Sequence, residues 1–591
     1  MARLANPEKI LAQLDEQQQQ AVRALDGPVR IFAGAGTGKT RTITHRIAYG
    51  AALGAWSSRE VLAVTFTSKA ALEMRERLQS LGIDSPQVRT FHAQALLDLN
   101  TYWPEVCDTP IPELKTNLRP YLIQGVHTLQ GQGYLKILRG QIFYAEEFFD
   151  ELNPLQVQKA FQAGEDEQSI ITPVVEAILD EIAWAKVSLI DQFRYVEAVQ
   201  KLGRPVPFSL PPQVFGRIYQ AFETAKVKNN VIDFNDLLLL ASYMIVKHDS
   251  VRKKIHKRYR FITVDEYQDV SPIQQFLLNQ WLGKNRNLCV VGDANQTIYS
   301  FAGATPRFLL DFKQKYPEAI DVSLAVNYRS VPAPVALANF LVQNNPGTIN
   351  LTTRKKYGTS VKFEIFESDE AELEAIAQLI ASFPDRDIPE VAILTRTNLS
   401  SGSVIAKLKE HGVKAYDRNQ QFALKIDDAH IEPELQNNDD LSDDDNDNDE
   451  LSIVGAEYLP FKLAEPTSQL PKKIERLLSP AKNPATHSVK PIEAKPPAGK
   501  PAGVSVLTIH AAKGLEFKIV FVVGVYEGNL PYMEAQTQGQ LDEEKRLLYV
   551  AITRAKERLY ISYARAKRSQ NKRSRAKSQF LEGIWPAKSQ S

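Results

Sequence analysis

Short apolar runs alternate with longer amphipathic stretches along most of the chain. The first four runs are Val29–Phe32, Val61–Phe66, Phe261–Val264 and Leu288–Val291. Four more follow later in the chain: Val361–Phe366, Val391–Leu394, Val504–Ile509 and Ile519–Val523. Runs of this length and composition are typical of buried strands, and helical periodicity separates them. The repeated alternation predicts an α/β protein with parallel sheets.

Two segments are expected to be helical. One helix is predicted from Pro7 to about Leu25, ahead of the first strand. Residues 97–225 contain LKILRGQIFYAEEFFDEL and VVEAILDEIAWAKVSLI, which show helical periodicity with few strand signals. We therefore expect a helical insertion inside the first α/β unit. A second α/β unit is expected to begin near Asp321.

One internal segment differs in composition from the rest. Residues 426–450 carry 12 acidic side chains and no lysine or arginine, and a proline- and lysine-rich stretch follows to about Gly503. Such a sequence buries little apolar surface. We expect a disordered linker over residues 421–503, in which the sequence allows a short helix near Lys472–Leu478 that is too small to replace a domain. It would return the strand at Val504 to the sheet begun near Val361.

Composition narrows the class of protein. The 591 residues are 43% hydrophobic and carry a net charge of +1, which suits several soluble domains and neither requires nor excludes a nucleic-acid partner. The two cysteines, Cys107 and Cys289, cannot build a disulfide framework. We find no apolar run of about 18 residues and no secretory leader. A cytoplasmic protein without a membrane partner is expected.

A glycine-rich loop connects the first strand to a helix. The loop is AGAGTGKT, Ala33–Thr40. Gly34, Gly36 and Gly38 let the backbone turn tightly and direct N–H groups at phosphate. Lys39 would neutralise the outer phosphates and Thr40 would hold Mg²⁺. The strict motif has glycine where Ala33 stands, so the alternative is a chance glycine loop, which the GKT ending makes improbable.

Two carboxylates follow a later buried strand. In FITVDEYQD, Asp265 is positioned to coordinate Mg²⁺ and Glu266 to orient or deprotonate an attacking water. An isolated Asp-Glu pair is usually only a solvated turn. After a buried strand, and with a phosphate loop upstream, the pair instead favours a nucleotide site. Together the two motifs predict hydrolysis of ATP with Mg²⁺.

Further motifs appear in a fixed order along the chain. They are LDEQQQQAV (Leu14–Val22), TFTSKAALEMRER (Thr65–Arg77), TFHA (Thr90–Ala93), DFNDLL (Asp233–Leu238), DEYQDVSPIQ (Asp265–Gln274), VVGDANQTIYSFAGA (Val290–Ala304), LAVNYRS (Leu324–Ser330), TIHAAKGLEF (Thr508–Phe517) and EEKRLLYVAITRA (Glu543–Ala555). This series resembles the UvrD/Rep/PcrA DNA helicases of superfamily one. Departures are Asp15 and Ser68, where asparagine is commoner, and Ala302, where an arginine is usual. Ala33 is the family's usual residue.

The resemblance implies two RecA-like P-loop motor domains. Their boundaries would be 1–96 and 226–320 for the first domain, 97–225 for the helical insertion, 321–420 and 504–585 for the second domain, 421–503 for the linker and 586–591 for a tail. The linker stands where such helicases carry a large folded subdomain.

The resemblance also implies nucleotide contacts. Catalytic roles fall to Lys39, Asp265, Glu266, Gln296, Arg329 and Arg554. Nucleotide binding falls to Gln18, Ala33, Gly34, Ala35, Gly36, Thr37, Gly38, Lys39, Thr40, Arg41, Gln268, Tyr328 and Glu516. Gln268 and Gln296 would sense the γ-phosphate, and Tyr328 would stack on adenine. Arg329 and Arg554 resemble paired arginine fingers from the second domain, although either alone could be a surface ion pair.

DNA contacts are implied by the same motifs. They are Thr65, Phe66, Phe91, His92, Asn235, Tyr299, Phe301 and His510. Aromatic side chains would stack on bases and the polar ones would contact backbone or bases. For Phe91, core packing is the alternative. Ala302 removes an arginine that would link the nucleotide and DNA sites.

The expected function is that of an ATP-dependent 3′→5′ DNA helicase or single-strand translocase in DNA repair, recombination or replication restart. The expected partners are single-stranded DNA, 3′-tailed duplex DNA and repair or recombination proteins, with the chain as a monomer or weak dimer. The alternatives are a translocase that strips proteins from DNA and the motor subunit of a helicase–nuclease complex. A fused nuclease is not expected, because the 37 residues after Arg554 are mostly basic. A non-enzymatic scaffold is least favoured.

Overall fold

The computed structural model describes most of the chain. The described residues are 6–83, 86–133, 135–138, 141–144, 172–356, 358, 361–418, 503–535, 537–567 and 574–585. The predicted linker, apart from Gly503, and the predicted tail lie outside these ranges, as does the short helix expected near Lys472–Leu478.

The strands of the described residues are numbered in chain order. They are β1 Val29–Ala33, β2 Val61–Thr65, β3 Gln87–Thr90, β4 Glu113–Leu114, β5 Leu135–Leu138, β6 Gln141–Tyr144, β7 Val231–Ile232, β8 Phe261–Val264, β9 Leu288–Gly292, β10 Ile320–Leu324, β11 Val326–Asn327, β12 Thr352–Thr353, β13 Lys362–Phe366, β14 Val391–Thr395, β15 Ala415–Asp417, β16 Val504–Thr508, β17 Phe517–Val522 and β18 Ala555–Ala564.

Helices occupy most of the intervening chain. They are Pro7–Leu11, Glu16–Arg23, Lys39–Ala52, Ser68–Ser80, Phe91–Val106, Arg119–Gly131, Thr172–Val187, Tyr195–Leu202, Pro212–Lys228, Phe234–Lys247, Asp249–Arg258, Pro272–Leu282, Arg307–Leu310, Phe312–Lys315, Pro332–Val342, Asp369–Ala381, Asn398–Glu410 and Gln538–Ile552. None of the described helices is long and apolar enough to cross a membrane.

The first sheet is parallel and has its core on both faces. Its six strands lie in the order β10-β1-β9-β8-β2-β3. In β2, Leu62 and Val64 pack into one core, while Val61 and Ala63 pack into the core on the opposite face. Alternating burial of this kind explains why the strand reads as a continuous apolar run. The P-loop follows β1, which lies between the edge strand β10 and β9.

The second sheet is also parallel and joins segments that are distant in sequence. Its order is β13-β18-β17-β14-β16-β15. Ala392 pairs with Ser505, so strands on either side of the predicted linker are direct neighbours. The expectation that the strand at Val504 rejoins the sheet begun near Val361 is confirmed. The two parallel sheets also confirm the predicted α/β fold class.

The chain before the first strand folds as two helices rather than one. Pro7–Leu11 and Glu16–Arg23 are separated at Asp15, whose carboxylate accepts a hydrogen bond from the Gln18 backbone N–H at 2.8 Å. An N-cap of this kind starts a new helix. The prediction of one helix to Leu25 was wrong because the polar stretch at Asp15 was counted as helix interior.

The insertion is mostly helical, but part of it is a hairpin. Its core is formed by residues including Leu122, Ile178 and Phe215. Leu135–Leu138 and Gln141–Tyr144 pair as antiparallel strands, where helix was predicted. Two four-residue apolar runs carry no decisive period, so helix and strand were not distinguishable there.

The expected start of the second unit near Asp321 also needs correction. Ile320–Leu324 pairs in parallel with β1, with Asp321 opposite Arg30. The Arg30 guanidinium forms an ion pair with the Asp321 carboxylate at 2.7 Å. This strand therefore completes the first sheet, and the second unit begins after Leu324.

Candidate active site in the cleft between the two sheets

The P-loop requires glycine at two positions. Gly36 and Gly38 have φ values of +73° and +84°, in the left-handed region that favours glycine. A Cβ on Gly36 would lie 2.7 Å from the Asn327 side chain, and one on Gly38 would lie 2.9 Å from the Gln18 amide. The loop therefore passes close to side chains from two other segments. Its last two residues, Lys39 and Thr40, begin a helix, where free backbone N–H groups favour an anion.

Oxygen ligands converge beside the loop. The Thr40 hydroxyl donates a hydrogen bond to Asp265 Oδ2 at 3.1 Å, and Lys39 Nζ lies 3.9 Å from Glu266 Oε2. Asp265 and Glu266 directly follow β8, which shares the first sheet with β1. A hydroxyl and a carboxylate are the hard oxygen ligands that Mg²⁺ prefers. The residues at this point therefore fit a magnesium ion.

The two carboxylates differ in their electrostatics. Burial, and next the negative charge of Glu266, raise the pKa of Asp265 to about 7. Burial also acts to raise the pKa of Glu266, but the ammonium groups of Lys39 and Lys513 outweigh it and lower that pKa. Glu266 thus stays ionised more readily than its neighbour, as an acceptor for a water proton must be. Its φ of +51° is uncommon for a residue other than glycine.

A buried amide network extends from Glu266. The Gln268 side chain donates to Glu266 Oε2 at 2.7 Å and to Asp269 Oδ2 at 2.9 Å. Its own oxygen accepts from the Asp293 backbone N–H at 3.0 Å. Gln296 donates to Asp293 Oδ2 at 2.8 Å. Gln268 therefore contacts Glu266 directly, whereas Gln296 joins the same network one step away through Asp293.

Arg329 enters the cleft from the segment after β11. Its guanidinium pairs with Glu516 at 2.6 Å, and Glu516 also pairs with Lys556 at 2.6 Å. Burial acts to raise the pKa of Glu516, but Arg329 and Lys556 lower it on balance. The two predicted nucleotide contacts Arg329 and Glu516 are thus brought together as an ion pair.

Arg554 is fixed by its own domain. It is 2% exposed and donates to the backbone oxygens of Val550 at 2.9 Å and Leu515 at 3.0 Å, and to the Thr553 hydroxyl at 2.9 Å. Burial and the positive charge of Arg329 lower the pKa of Arg554 to about 9, while the negative charge of Glu266 opposes them. The guanidinium remains charged at neutral pH and acts on Glu266 of the other domain.

The outer wall of the site contains the residues expected to recognise the base. The Tyr328 hydroxyl donates to Asp15, and the Tyr328 backbone N–H donates to the Gly36 oxygen at 2.9 Å. Burial and this hydrogen bond to Asp15 raise the pKa of Tyr328 to about 12. The Gln18 side-chain amide donates to the Thr37 backbone oxygen at 3.0 Å, and the Arg41 guanidinium donates to the Gln13 backbone oxygen at 2.6 Å. Gln18 and Tyr328 therefore both lie against the P-loop.

An aromatic cluster lies next to this network and spans the cleft. We define it as Phe66, Tyr299, Phe301 and His510. The rings of Phe66 and Tyr299 stack with centroids 5.6 Å apart, and Phe301 lies 5.8 Å from His510. Phe301 is 67% exposed and Phe66 is 38% exposed. Large exposed rings beside polar groups are suited to stacking on nucleic-acid bases.

The remaining predicted DNA contacts lie outside the aromatic cluster. Phe91 is 2% exposed and stacks on Trp281 in the core, so the alternative of core packing describes its position. Thr65 is fully buried at the end of β2. His92 packs edge-on against Phe234, and burial lowers its pKa to about 4. Asn235 is half-buried in the first turn of the adjacent helix.

The DFNDLL motif builds a buried ion cluster. Asp233 and Asp236 each accept hydrogen bonds from two buried lysines, Lys186 and Lys226, with Asp236 at 2.6 Å from both. Glu223 lies 3.3 Å from Lys186. The three carboxylates are close enough to hold a cation, but the lysines already supply the positive charge. The motif therefore ties the insertion to the first domain.

The sequence analysis missed several cleft residues. The Tyr549 hydroxyl of the second domain donates to Asp293 Oδ2 at 3.1 Å, and the Arg546 guanidinium donates to the Thr297 backbone oxygen at 2.8 Å. Lys513 forms an ion pair with Asp269 at 2.5 Å. All three belong to motifs quoted above, but nothing in the sequence identified their partners in the first domain.

This fold and site define a P-loop protein with two α/β domains and a candidate nucleotide site in the cleft between them. The model of the UvrD/REP helicase N-terminal domain matches residues 14–317. The model of the UvrD-like helicase C-terminal domain matches residues 322–424 and 487–566. The chain therefore belongs to the UvrD/REP helicase family and is a helicase of the two-domain type that these models describe.

Curated relatives match over nearly the whole chain. The ATP-dependent DNA helicase UvrD2 of Mycobacterium tuberculosis is 35% identical over 98% of this chain and 82% of its own length. The ATP-dependent DNA helicase PcrA of Bacillus subtilis is 27% identical over 94% of this chain and 83% of its own length. A solved C-terminal domain of a possible DNA helicase from Lactobacillus has a TM-score of only 0.22 at 15% identity, covering 43% of this chain and 92% of that one, which is too low to support an argument.

Proposed function

We propose that this chain is an ATP-dependent DNA helicase that moves 3′→5′ along single-stranded DNA and separates duplexes ahead of it. The observation that carries the proposal is the position of the P-loop. In the first domain Lys39 Nζ lies 3.9 Å from Glu266. From the second domain, Arg329 Cβ lies 2.8 Å from where a Cβ on Gly36 of the P-loop would stand, and the charge of Arg554 acts on Glu266. Hydrolysis that needs both domains can drive opening and closing of that cleft. The similarity to two ATP-dependent DNA helicases supports ATP and DNA as the ligands.

In this proposal the nucleotide is held mainly by the first domain. Backbone N–H groups of the P-loop and the Lys39 ammonium neutralise phosphate charge. Thr40 and Asp265 would hold Mg²⁺, which when bound neutralises charge between the phosphates. Glu266 orients the attacking water and accepts its proton. Tyr328 and Gln18 would contact the base.

The second domain contributes charge to the reaction. Arg329 and Arg554 act as arginine fingers, which can contribute about 10³–10⁵ in rate. In the structure Arg329 is paired with Glu516 at 2.6 Å. Glu516 would exchange that partner for the ribose when nucleotide binds, which frees Arg329 to face the phosphate. The arginine is then available only when both domains hold the nucleotide.

DNA is proposed to lie across the aromatic cluster. Stacking of a base on an aromatic side chain contributes about 1–3 kcal/mol. Phe301 and Phe66 offer exposed rings for this purpose, and His510 adds a polar contact from the second domain. Because the aromatic cluster includes residues of both domains, cleft closure would move bases relative to the first domain. The proposed setting is DNA repair, recombination or replication restart, with action in the cytoplasm as a monomer or weak dimer.

The polarity is tested by unwinding. Duplexes with a 3′ tail, a 5′ tail or no tail are given to the purified protein with ATP and Mg²⁺, and release of a labelled strand is followed. The proposal predicts release from the 3′-tailed duplex, and Lys39→Ala is the inactive control. Preferential release from the 5′-tailed duplex would reject the polarity. ATP-driven movement without strand release on bare duplexes would instead favour protein displacement as the main activity.

A further inference from the structure

One lysine of the second domain reaches across the cleft to three groups of the first. Lys513 follows β16 and is largely buried. Its ammonium donates to Asp269 Oδ2 at 2.5 Å and to the Gln296 backbone oxygen at 2.5 Å. The same ammonium lies 4.8 Å from the centroid of the Tyr299 ring, within the range of a cation–π contact. Lys513 therefore contacts the buried network and the aromatic cluster simultaneously.

On the nucleotide side the contact continues to the proposed catalytic base. Asp269 Oδ2, which accepts from Lys513, also accepts from the Gln268 amide at 2.9 Å. That amide donates to Glu266 Oε2 at 2.7 Å. Glu266 in turn lies 3.9 Å from the P-loop lysine, Lys39. An unbroken series of polar contacts thus connects the P-loop with Lys513.

On the other side the contact continues to the exposed rings. Tyr299 stacks on Phe66 with an interplanar angle of 13°, and its hydroxyl donates to the His510 oxygen at 3.2 Å. A movement of the ammonium relative to the Tyr299 ring would therefore shift a surface that includes Phe66. Position 302, next to Phe301 of the aromatic cluster, has an exposed alanine and supplies no cation.

We propose that Lys513 is the positioning residue through which nucleotide binding changes the affinity of the aromatic cluster for single-stranded DNA. This inference rests on the function proposed above. Nucleotide at the P-loop alters what Glu266 and Gln268 contact, which changes the acceptor that Asp269 offers to Lys513. The ammonium then moves relative to the Tyr299 ring. Because binding linkage is reciprocal, DNA on the cluster changes nucleotide affinity by the same factor.

A second route between the two sites runs through the backbone. The Thr297 hydroxyl donates to the Gln268 backbone oxygen at 3.2 Å, and Tyr299 is two residues further along. This route contacts the backbone of Gln268 rather than the amide that faces Glu266. Removal of the Lys513 charge leaves the Thr297 contact in place, so the two routes predict different results.

The experiment measures the affinity for DNA with and without nucleotide. The dissociation constant of a fluorescent oligothymidine is determined in the absence and presence of a non-hydrolysable ATP analogue with Mg²⁺. The proteins are the full-length wild type, Lys513→Met, Lys513→Arg and Lys518→Met. Lys518 is the matched control, because it pairs with Asp387 at 2.8 Å within its own domain. Lys513→Arg restores a cation that can reach the same carboxylate.

For Lys513→Met, nucleotide is expected to leave the dissociation constant for DNA nearly unchanged, so the ratio of the constants with and without nucleotide is about one. The wild type and Lys518→Met should keep a clear nucleotide effect. Lys513→Arg is expected to recover part of that effect, which a merely space-filling role for the lysine would not produce. A wild-type ratio in Lys513→Met would overturn the inference and favour the Thr297 route. Failure of the wild type to bind oligothymidine would instead reject the proposed function.

Loss of Lys513 leaves the buried carboxylate of Asp269 without its ammonium partner, which can destabilise the fold. The double variant Lys513→Met/Asp269→Asn removes both charges and is measured in the same way. A ratio near that of the wild type in the folded double variant would also contradict the inference.

Discussion

Replacement of Arg554 tests whether this side chain is needed for ATP hydrolysis rather than for folding. This guanidinium is 2% exposed and is held by two backbone oxygens and the Thr553 hydroxyl of its own domain. It is thus positioned before nucleotide arrives and needs no further ordering in the reaction. Arg554→Ala removes the charge, and Arg554→Lys keeps a charge but loses the planar group that spans these acceptors.

The size of the effect follows from the role. Loss of an arginine finger costs about 10³–10⁵ in rate, which corresponds to about 4–7 kcal/mol in the activation barrier. Arg554→Ala also leaves the Leu515 oxygen without its side-chain donor, which costs about 1–3 kcal/mol in stability for a buried group. The activation barrier of ATP hydrolysis should therefore change by more than the free energy of unfolding.

The assay is steady-state ATP hydrolysis with saturating oligothymidine, together with thermal unfolding. We expect a large decrease in kcat for Arg554→Ala, an intermediate decrease for Arg554→Lys and a smaller change in KM. Arg565→Ala is the control, because Arg565 pairs with Glu367 at 2.9 Å on the surface of the same domain. A folded Arg554→Ala protein with a kcat close to that of the control would refute the finger assignment.

Three other predictions concern the site and the first domain. Lys39→Ala or Glu266→Gln should abolish DNA-stimulated ATP hydrolysis with thermal unfolding unchanged, and normal turnover in either variant would reject that assignment. His92 has its pKa lowered from 6.5 to about 4 by burial, so the unfolded chain binds a proton between these values that the folded chain does not. Stability in urea should fall as pH drops from 6.5 to 4, and His92→Gln should flatten that slope, whereas an unchanged slope would contradict the argument. Asp98 accepts hydrogen bonds from three buried donors, including Trp281 at 2.8 Å. Asp98→Asn should lose about 1–3 kcal/mol of stability in urea unfolding, because an amide cannot accept from all three; equal stability would show that the site tolerates a donor.

Local pattern was sufficient for the strands that carry the site. The apolar runs at Val29, Val61 and Phe261 are strands as predicted, because burial on both faces leaves continuous hydrophobic sequence. The phosphate loop was predictable from its glycines and from GKT, because this motif is local in sequence.

Non-local contacts were not predictable in the same way. The strand Ile320–Leu324 joins the first sheet through pairing with β1, which no feature of its own sequence specifies. Phe91 lies in a motif that resembles a DNA contact, yet it packs on Trp281. Lys513 was visible in TIHAAKGLEF, but its partner Asp269 lies 244 residues earlier.

The most direct test of the central claim is the rate of ATP hydrolysis by the purified wild-type chain as oligothymidine is added. The proposal predicts slow hydrolysis without DNA and a saturable increase with DNA. The DNA concentration for half-maximal stimulation should rise with salt, because phosphate contacts release counterions. Hydrolysis that is unaffected by DNA, or that is stimulated more by RNA than by DNA, would contradict the account.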